Sequence, residues 1–433
     1  MTLVIIVSAF VFLLLIFKGG LDSISKKFLL SYAAVWFLAL LLSTNGAAGL
    51  NIPDDNTVVL LIAHLFMFLF GFKTIKIKSC NTQAFTDTLR FSVDKFLDNK
   101  IFNYILIACL LYVLSMFAVF YKTVLVMQSL ADVRTEFYEG DLYGSMYGLI
   151  NTFILTPLDY VLFPLFGYMC IRRRNWQWGL AAIYLLVHSS LAGGRLGYIR
   201  IFLGIIFFVF CLSDISRHGK NRKNILIMAF ASIAVYLLII FTSAGRSGSV
   251  GFDMATLREG QEVANEHITS YTSGPIAAFD YALSNDYVQK VGGYKHGGLT
   301  FTTVEGLFYT LVGRLGITYE RPITPVVEVL QNQPIDIGDS NYWNALYTSC
   351  IYYYLDFGIL GVIVLPFIIG LLFRYSIKRY YLDSNVYSFI LVGYVFLKLI
   401  FSIIQFNFTN FSELLLVCML VYMSEKKRNR VTI

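Results

Sequence analysis

Charge is what this chain has least of. Asp, Glu, Lys and Arg make up 14% of its 433 residues, against roughly 25% in soluble domains. Too few charges remain to cover a water-soluble surface of this size. Proline is scarce, at eight residues, and no low-complexity tract occurs, so a disordered or fibrous chain is excluded. There are five histidines and six cysteines, with no spacing that reads as a zinc site. No Gly-x-x-x-x-Gly-Lys-Ser/Thr loop is present, which argues against an ATP-driven pump. Asp-x-Asp is also missing, and that weakens a metal-dependent nucleotide-sugar transferase.

What is present is apolar: 57% hydrophobic and 16% aromatic residues, in runs that recur along the whole length. A span needs roughly 20 mainly apolar residues, fewer where its ends are aromatic or snorkelling. Eleven segments qualify, at about 2–17, 28–43, 57–72, 102–120, 149–170, 177–192, 196–213, 224–243, 357–373, 386–404 and 408–424. The first lacks a basic start and a small-residue cleavage site, so it reads as a retained helix. The fold class expected is therefore an all-α polytopic membrane protein with about 11 transmembrane helices and one large, partly helical loop. The organisation is helices 1 to 8 over 1–243, a loop over 244–341, and an interfacial segment with helices 9 to 11 over 342–433.

Lys and Arg set the orientation. Of the 34, the loops on the C-terminal side hold 23, the opposite side holds 10, and Lys398 lies inside a span. The positive-inside rule then puts the C-terminus in the cytoplasm and the N-terminus outside, with the 244–341 loop exported. The formal charge of +7 is a topology signal here and does not point to nucleic acid. Only Cys350 falls near the outer face, so no intrachain disulfide can staple the exported loop.

The exported loop is longer than an ordinary connection, as functional loops are. Its apolar stretches, near 276–283, 299–312 and 323–330, are short and broken by Gly or Pro, which predicts short helices lying on the bundle. Thr-Ser-Gly-Pro at 272–275 predicts a helix start, with Ser273 or Gly274 as cap and Pro275 in the first turn. The tyrosines from Tyr342 to Tyr354 read mainly as an aromatic belt, with sugar stacking the lesser reading. Asp356 reads as the cap of the ninth span, with the glycines after it allowing close helix packing.

Taken together, Gly-Gly-Arg at 193–195, Ala-Gly-Arg-Ser-Gly at 244–248, Tyr-x-x-Gly-Pro-x-x-Ala-x-Asp from Tyr271, and Asn341 with Tyr347 before Asp-Phe-Gly-x-x-Gly at 356–361 form a pattern. With eleven spans and one large outward loop, it resembles the bacterial O-antigen polymerases, the Wzy family of oligosaccharide repeat unit polymerases. The resemblance implies transfer of a glycan from undecaprenyl pyrophosphate to a sugar hydroxyl of another lipid-linked repeat unit. It places that reaction at the periplasmic face of a bacterial inner membrane, metal-independent and inverting, with no cofactor. The partners it implies are an undecaprenyl-pyrophosphate-linked oligosaccharide, membrane lipid, a chain-length regulator and a flippase. Tyr271, Asn341 and Tyr347 would then contact glycan. Related ligases and other lipid-linked oligosaccharide transferases share the architecture, and a polysaccharide flippase or secondary transporter is the alternative from another class.

Arginine is depleted on the outside, so each outward one needs a reason. Arg195, Arg200, Arg246 and Arg314 are the candidate pyrophosphate ligands, since a guanidinium fork binds phosphate bidentately and keeps its charge. Snorkelling to lipid phosphates competes with that reading, except that Arg200 sits roughly one turn inside its span, where a charge needs a partner or a wet cavity. Asp280, Glu305, Asp336 and Asp339 are the candidate bases. His267 and His296 are lesser ones, and Glu139 with Asp141 could hold a divalent cation. Lys398 and Glu413 lie at matched depth on the last two spans and are expected to form a structural ion pair.

Overall fold

The computed structural model describes residues 1–77, 82–127, 133, 143–172, 175–191, 196–207, 233, 236–237, 239–240, 254–339, 342–343, 347–404 and 410–431. Helices dominate. The strands among the described residues are one short antiparallel pair, Ile335–Asp336 (β1) and Tyr342–Trp343 (β2). Among the described residues, five helices are long and apolar enough to cross a membrane: Ser23–Thr44, Asp55–Thr74, Lys100–Met127, Met146–Cys170 and Ser349–Asp383. Thr2–Lys18 and Val386–Phe401 are apolar but shorter. The protein is thus an all-α, multi-pass membrane protein. Of the other expected spans, 177–192 is a 17-residue helix and 196–213 is helical over Leu196–Ile206. The one at 224–243 lies mostly outside the described residues.

The chain divides into two compact units. The first comprises Met1–Ser79, Glu266–Arg379 and Lys398–Cys418. Its helices include α1 (Thr2–Lys18), α2 (Ser23–Thr44) and α3 (Asp55–Thr74). Asp22 starts α2, its carboxylate accepting from Ser25 N at 3.0 Å, which meets one of the donors a helix start leaves unpaired. A 35-residue helix, Ser349–Asp383, supplies the unit's longest span. It crosses α3 closely: a Cβ on Gly71 would collide with the Phe367 carbonyl, and one on Gly370 with the Phe68 carbonyl. Two glycines facing two backbones let the helices approach as small-residue contacts do within membranes.

The second unit comprises Cys80–Asn265, Tyr380–Leu397 and Met419–Ile433. It contains α4 (Thr82–Leu97), α5 (Lys100–Met127), α6 (Gly144–Ile150), α7 (Thr156–Arg172), α8 (Asn175–Leu191) and α9 (Leu196–Ile206). Helices α7, α8 and α9 pack on one another, and α5 packs on α8. Between α6 and α7 the chain makes one π-helical turn, Asn151–Leu155, in which Thr156 N donates to Asn151 O. Pro157 follows at once and has no N–H to continue the ordinary ladder. Such turns widen a helix and change where its side chains point.

The loop departs from expectation. Instead of a helix starting at Pro275, a 31-residue helix, Met254–Ser284 (α10), carries Pro275 inside it. Ser273 is no cap: its Oγ bonds back to Thr269 O at 2.8 Å, and its own carbonyl accepts from Ser43 Oγ at 3.1 Å. Gly274 is needed because the Trp343 indole fills the place of its side chain, about 3 Å from where a Cβ would stand. After Tyr287–Lys290 (α11) come Thr302–Arg314 (α12) and Ile323–Gln331 (α13). Helix α13 buries Val326, Val329 and Leu330, as a helix lying on a bundle should, whereas α12 leaves most of its apolar residues exposed.

Asp356 is also a correction. It lies inside the Ser349–Asp383 helix (α14), about two turns into a span that begins earlier than expected. Its buried carboxylate accepts from Leu299 N at 3.1 Å and from Thr300 N and Thr300 Oγ1 at 2.6 and 2.5 Å. It therefore caps the turn leading into α12, not its own helix. Gly358, at φ 65° and ψ −154°, breaks α14 just beyond it, a conformation open to glycine.

Candidate active site

The strongest constellation of ionisable side chains lies in the second unit, on α7 and α8. His188 Nδ1 is 3.0 Å from both carboxylate oxygens of Asp159, and Nε2 is 2.9 Å from Asn151 Oδ1. The side chains of His188 and Asp159 are 10% and 16% exposed, so they are largely dry yet reachable. The π turn matters here because it carries Asn151 at its start and Leu155 at its end. Leu155 O accepts from Tyr184 OH at 3.0 Å, and the Tyr184 ring stacks on His188 at 5.6 Å and 28°. An imidazole so held has its orientation fixed by the carboxylate, which also stabilises the ring after it takes a second proton. Both are what a general base needs.

A cation packs against another side of the same helix. The Arg200 guanidinium, on α9, lies 5.9 Å from the ring centre of Tyr160, the residue next to Asp159. Ser190 Oγ and Tyr198 OH meet at 2.8 Å and tie the ends of α8 and α9 together. Consecutive residues of α7 thus engage, on one side, an acid–base pair and, on the other, a guanidinium able to meet an anion.

Sequence reasoning passed over Asp159 and gave His188 no role. The signal was there. Asp159 and His188 lie at equal distances, about 14 residues, on either side of the middle of the short connection near 173–174. At 1.5 Å per residue that is one depth, roughly 22 Å from the turn.

The loop carboxylates stand differently, and all belong to the first unit. Asp280 Oδ1 accepts from Asp54 N at 3.1 Å and Thr57 Oγ1 at 2.5 Å, so it caps α3, whose own first residue Asp54 makes no side-chain cap. Glu305 is clamped by Arg321 through bonds of 2.8, 3.1 and 3.3 Å, and those bonds raise the Arg321 pKa further. Asp336 Oδ1 accepts from Gly338 N at 2.9 Å, while Asp339, at φ 46°, packs its carboxylate against Gly49.

Of the arginines, Arg314 is exposed at the end of α12, and Arg195 and Arg246 lie outside the described residues, as do Asn341, Glu139 and Asp141. Tyr271 is half-buried between His267 and Trp343, at ring distances of 5.9 and 5.7 Å. Tyr347 is buried at 1% exposure. Lys398 Nζ and Glu413 Oε2 are 2.5 Å apart, with both side chains buried. Among the described residues no three His, Cys, Asp or Glu side chains converge as a metal centre would require. No family model matches the chain, and no curated protein or solved structure does either.

Proposed function

We propose that this protein is a polymerase of lipid-linked oligosaccharide repeat units, working at the periplasmic face of a bacterial inner membrane with its C-terminus in the cytoplasm. The observation that carries the reading is the His188–Asp159–Asn151 cluster on α7 and α8, with Arg200 packed on Tyr160 of the same α7 helix. In the reaction, an acceptor sugar hydroxyl takes the place of Asn151 at His188 Nε2 and gives its proton to that nitrogen as its oxygen bonds to the donor's anomeric carbon. The bond from that carbon to the pyrophosphate breaks, the configuration inverts, and undecaprenyl pyrophosphate leaves. Asp159 stabilises the imidazolium, and Arg200 meets the charge developing on the leaving group. Donor and acceptor are both held in the bilayer by their lipids, so a site between membrane helices suits them.

A ligase would use the same chemistry on another acceptor. Transport of such a lipid-linked glycan is the second reading, favoured by one observation: Asp159–His188 and Lys398–Glu413 are both ionisable pairs within helices, as in proton-coupled carriers. Deleting the gene separates the classes. Loss of a polymerase leaves single repeat units at the cell surface, and complementation with Arg200→Lys should restore less chain extension than the native chain at equal protein levels, because lysine lacks the fork. Loss of a transporter leaves no repeat units outside and lipid-linked units accumulating within, a result that would overturn the polymerase reading.

A further inference from the structure

Helix α12 divides into two faces. Thr302, Glu305, Gly306 and Tyr309 recur at helical spacing on the Arg321 side: Thr302 and Glu305 are buried, Gly306 lies beneath the Arg321 guanidinium, and the ring centre of Tyr309, itself 43% exposed, is 5.4 Å from Arg321. The opposite face holds Val304, Leu307, Phe308, Leu311 and Leu315, between 40% and 76% exposed. Five large apolar residues in one stripe are not what a chain leaves in water. The stripe is also held in place. The Glu305–Arg321 bonds fix the rotation of the helix, Pro322 packs against Gly298, and the Asp356 carboxylate anchors the turn at 299–300 to α14.

That anchor decides what the stripe faces. Lys295 N and His296 N donate to the carbonyls of Leu355 and Asp356 at 2.9 and 3.2 Å, so α12 sets out from the side of a membrane-spanning helix. At the junction, Phe301 and Phe357 both border Gly297, within 3.4 Å of where its Cβ would be. Phe357 opens the exposed apolar surface of α14 that continues through Leu360 and Val364. One apolar surface therefore runs from the flank of a span, across the two phenylalanines, onto the outer stripe of α12. A surface continuous with the lipid-facing side of a span has the same occupant.

We propose that α12 lies in the membrane boundary with Val304, Leu307, Phe308, Leu311 and Leu315 set among the lipid acyl chains. Arg314, beside the stripe at the last turn of the helix, reaches the lipid phosphates, as basic residues flanking an interfacial helix do. The inference rests on the first unit alone and does not involve His188, Asp159 or Arg200, to which the proposed reaction gives its roles.

The test places a fluorophore on the stripe of the full-length chain in phosphatidylethanolamine–phosphatidylglycerol vesicles. Leu311→Trp and, as a second site, Leu307→Trp are compared with Gln333→Trp on the exposed turn after α13, after subtracting the signal of the unsubstituted chain. Lipids brominated along the acyl chain should quench the two stripe tryptophans at least twofold more than Gln333→Trp, and aqueous iodide should show the reverse order. Quenching of both stripe sites by iodide and not by brominated lipid would overturn the proposal. Protection from both quenchers, with particles of twice the monomer mass, would overturn it in favour of a second copy of the chain as the occupant.

Discussion

The long loop between α10 and α14, with its flanks, and the α7–α8 helix pair both carry carboxylates, and they use them in opposite ways. In the loop, Asp280 caps α3 and Glu305 is locked to Arg321, while Asp356, at the loop's seat on α14, caps a turn. Each receives donors that would otherwise be left unpaired, so each is part of the framework. On α7, Asp159 bonds the titratable ring of His188, whose second nitrogen faces a side-chain amide rather than a backbone group. The contrast is physical: a base needs a partner that can exchange a proton, whereas a carboxylate already taken up by framework donors has less freedom to act as one.

The largest expected effect comes from the other ionisable pair, which belongs with the framework. Lys398→Ala or Glu413→Ala leaves a buried charge alone and should cost about 3–5 kcal/mol, read as a fall in detergent melting temperature. Replacing both should recover most of the loss. A double variant as unstable as the two single losses added together would separate the two residues energetically and weaken the contrast.

Next is Asp356→Ala, which strands two backbone donors and a hydroxyl and should cost about 3 kcal/mol. Asp356→Asn, which keeps one acceptor, should lose less. Equal losses from the two would mean that the cap works through charge alone.

The smallest effect concerns pH. Asp22 is pushed up by burial, but bonds from Ser25 and the charge and bond of Arg374 outweigh this and leave its pKa below the ordinary 3.8. A carboxyl lowered on folding adds stability that is full above 3.8 and disappears as pH falls through the lower, folded value. Melting temperatures taken from pH 6 down to pH 3 should therefore drop more steeply for the native chain than for Asp22→Asn. Parallel curves would remove Asp22 from the framework group.

How much of this was legible in the sequence depends on how far each effect reaches along the chain. Membrane character and helical class follow from composition and local runs. The closeness of Lys398 and Glu413 follows too, because two helices joined by a short turn must align residues at equal distances from it. The same arithmetic reaches Asp159 and His188. What lay beyond it were contacts between distant segments: Asp356 with Thr300, Asp280 with Thr57, and Gly71 with Phe367. Local capping rules assigned Asp356 to its own helix, and Pro275 to a helix start. Tertiary donors overrode both, since a buried carboxylate goes wherever unpaired N–H groups are, and a proline inside a helix is tolerated where neighbours take up the freed backbone groups.

The most direct measurement compares surface polysaccharide from cells carrying Asp159→Asn with that from cells carrying Glu305→Gln, at equal membrane levels of the two proteins. If α7 and α8 hold the base and the loop carboxylates hold the fold, Asp159→Asn loses chain extension by about a hundredfold or more, while Glu305→Gln stays within about twofold of the native chain. Full-length polymer from Asp159→Asn, or its absence from a well-folded Glu305→Gln, would contradict the account.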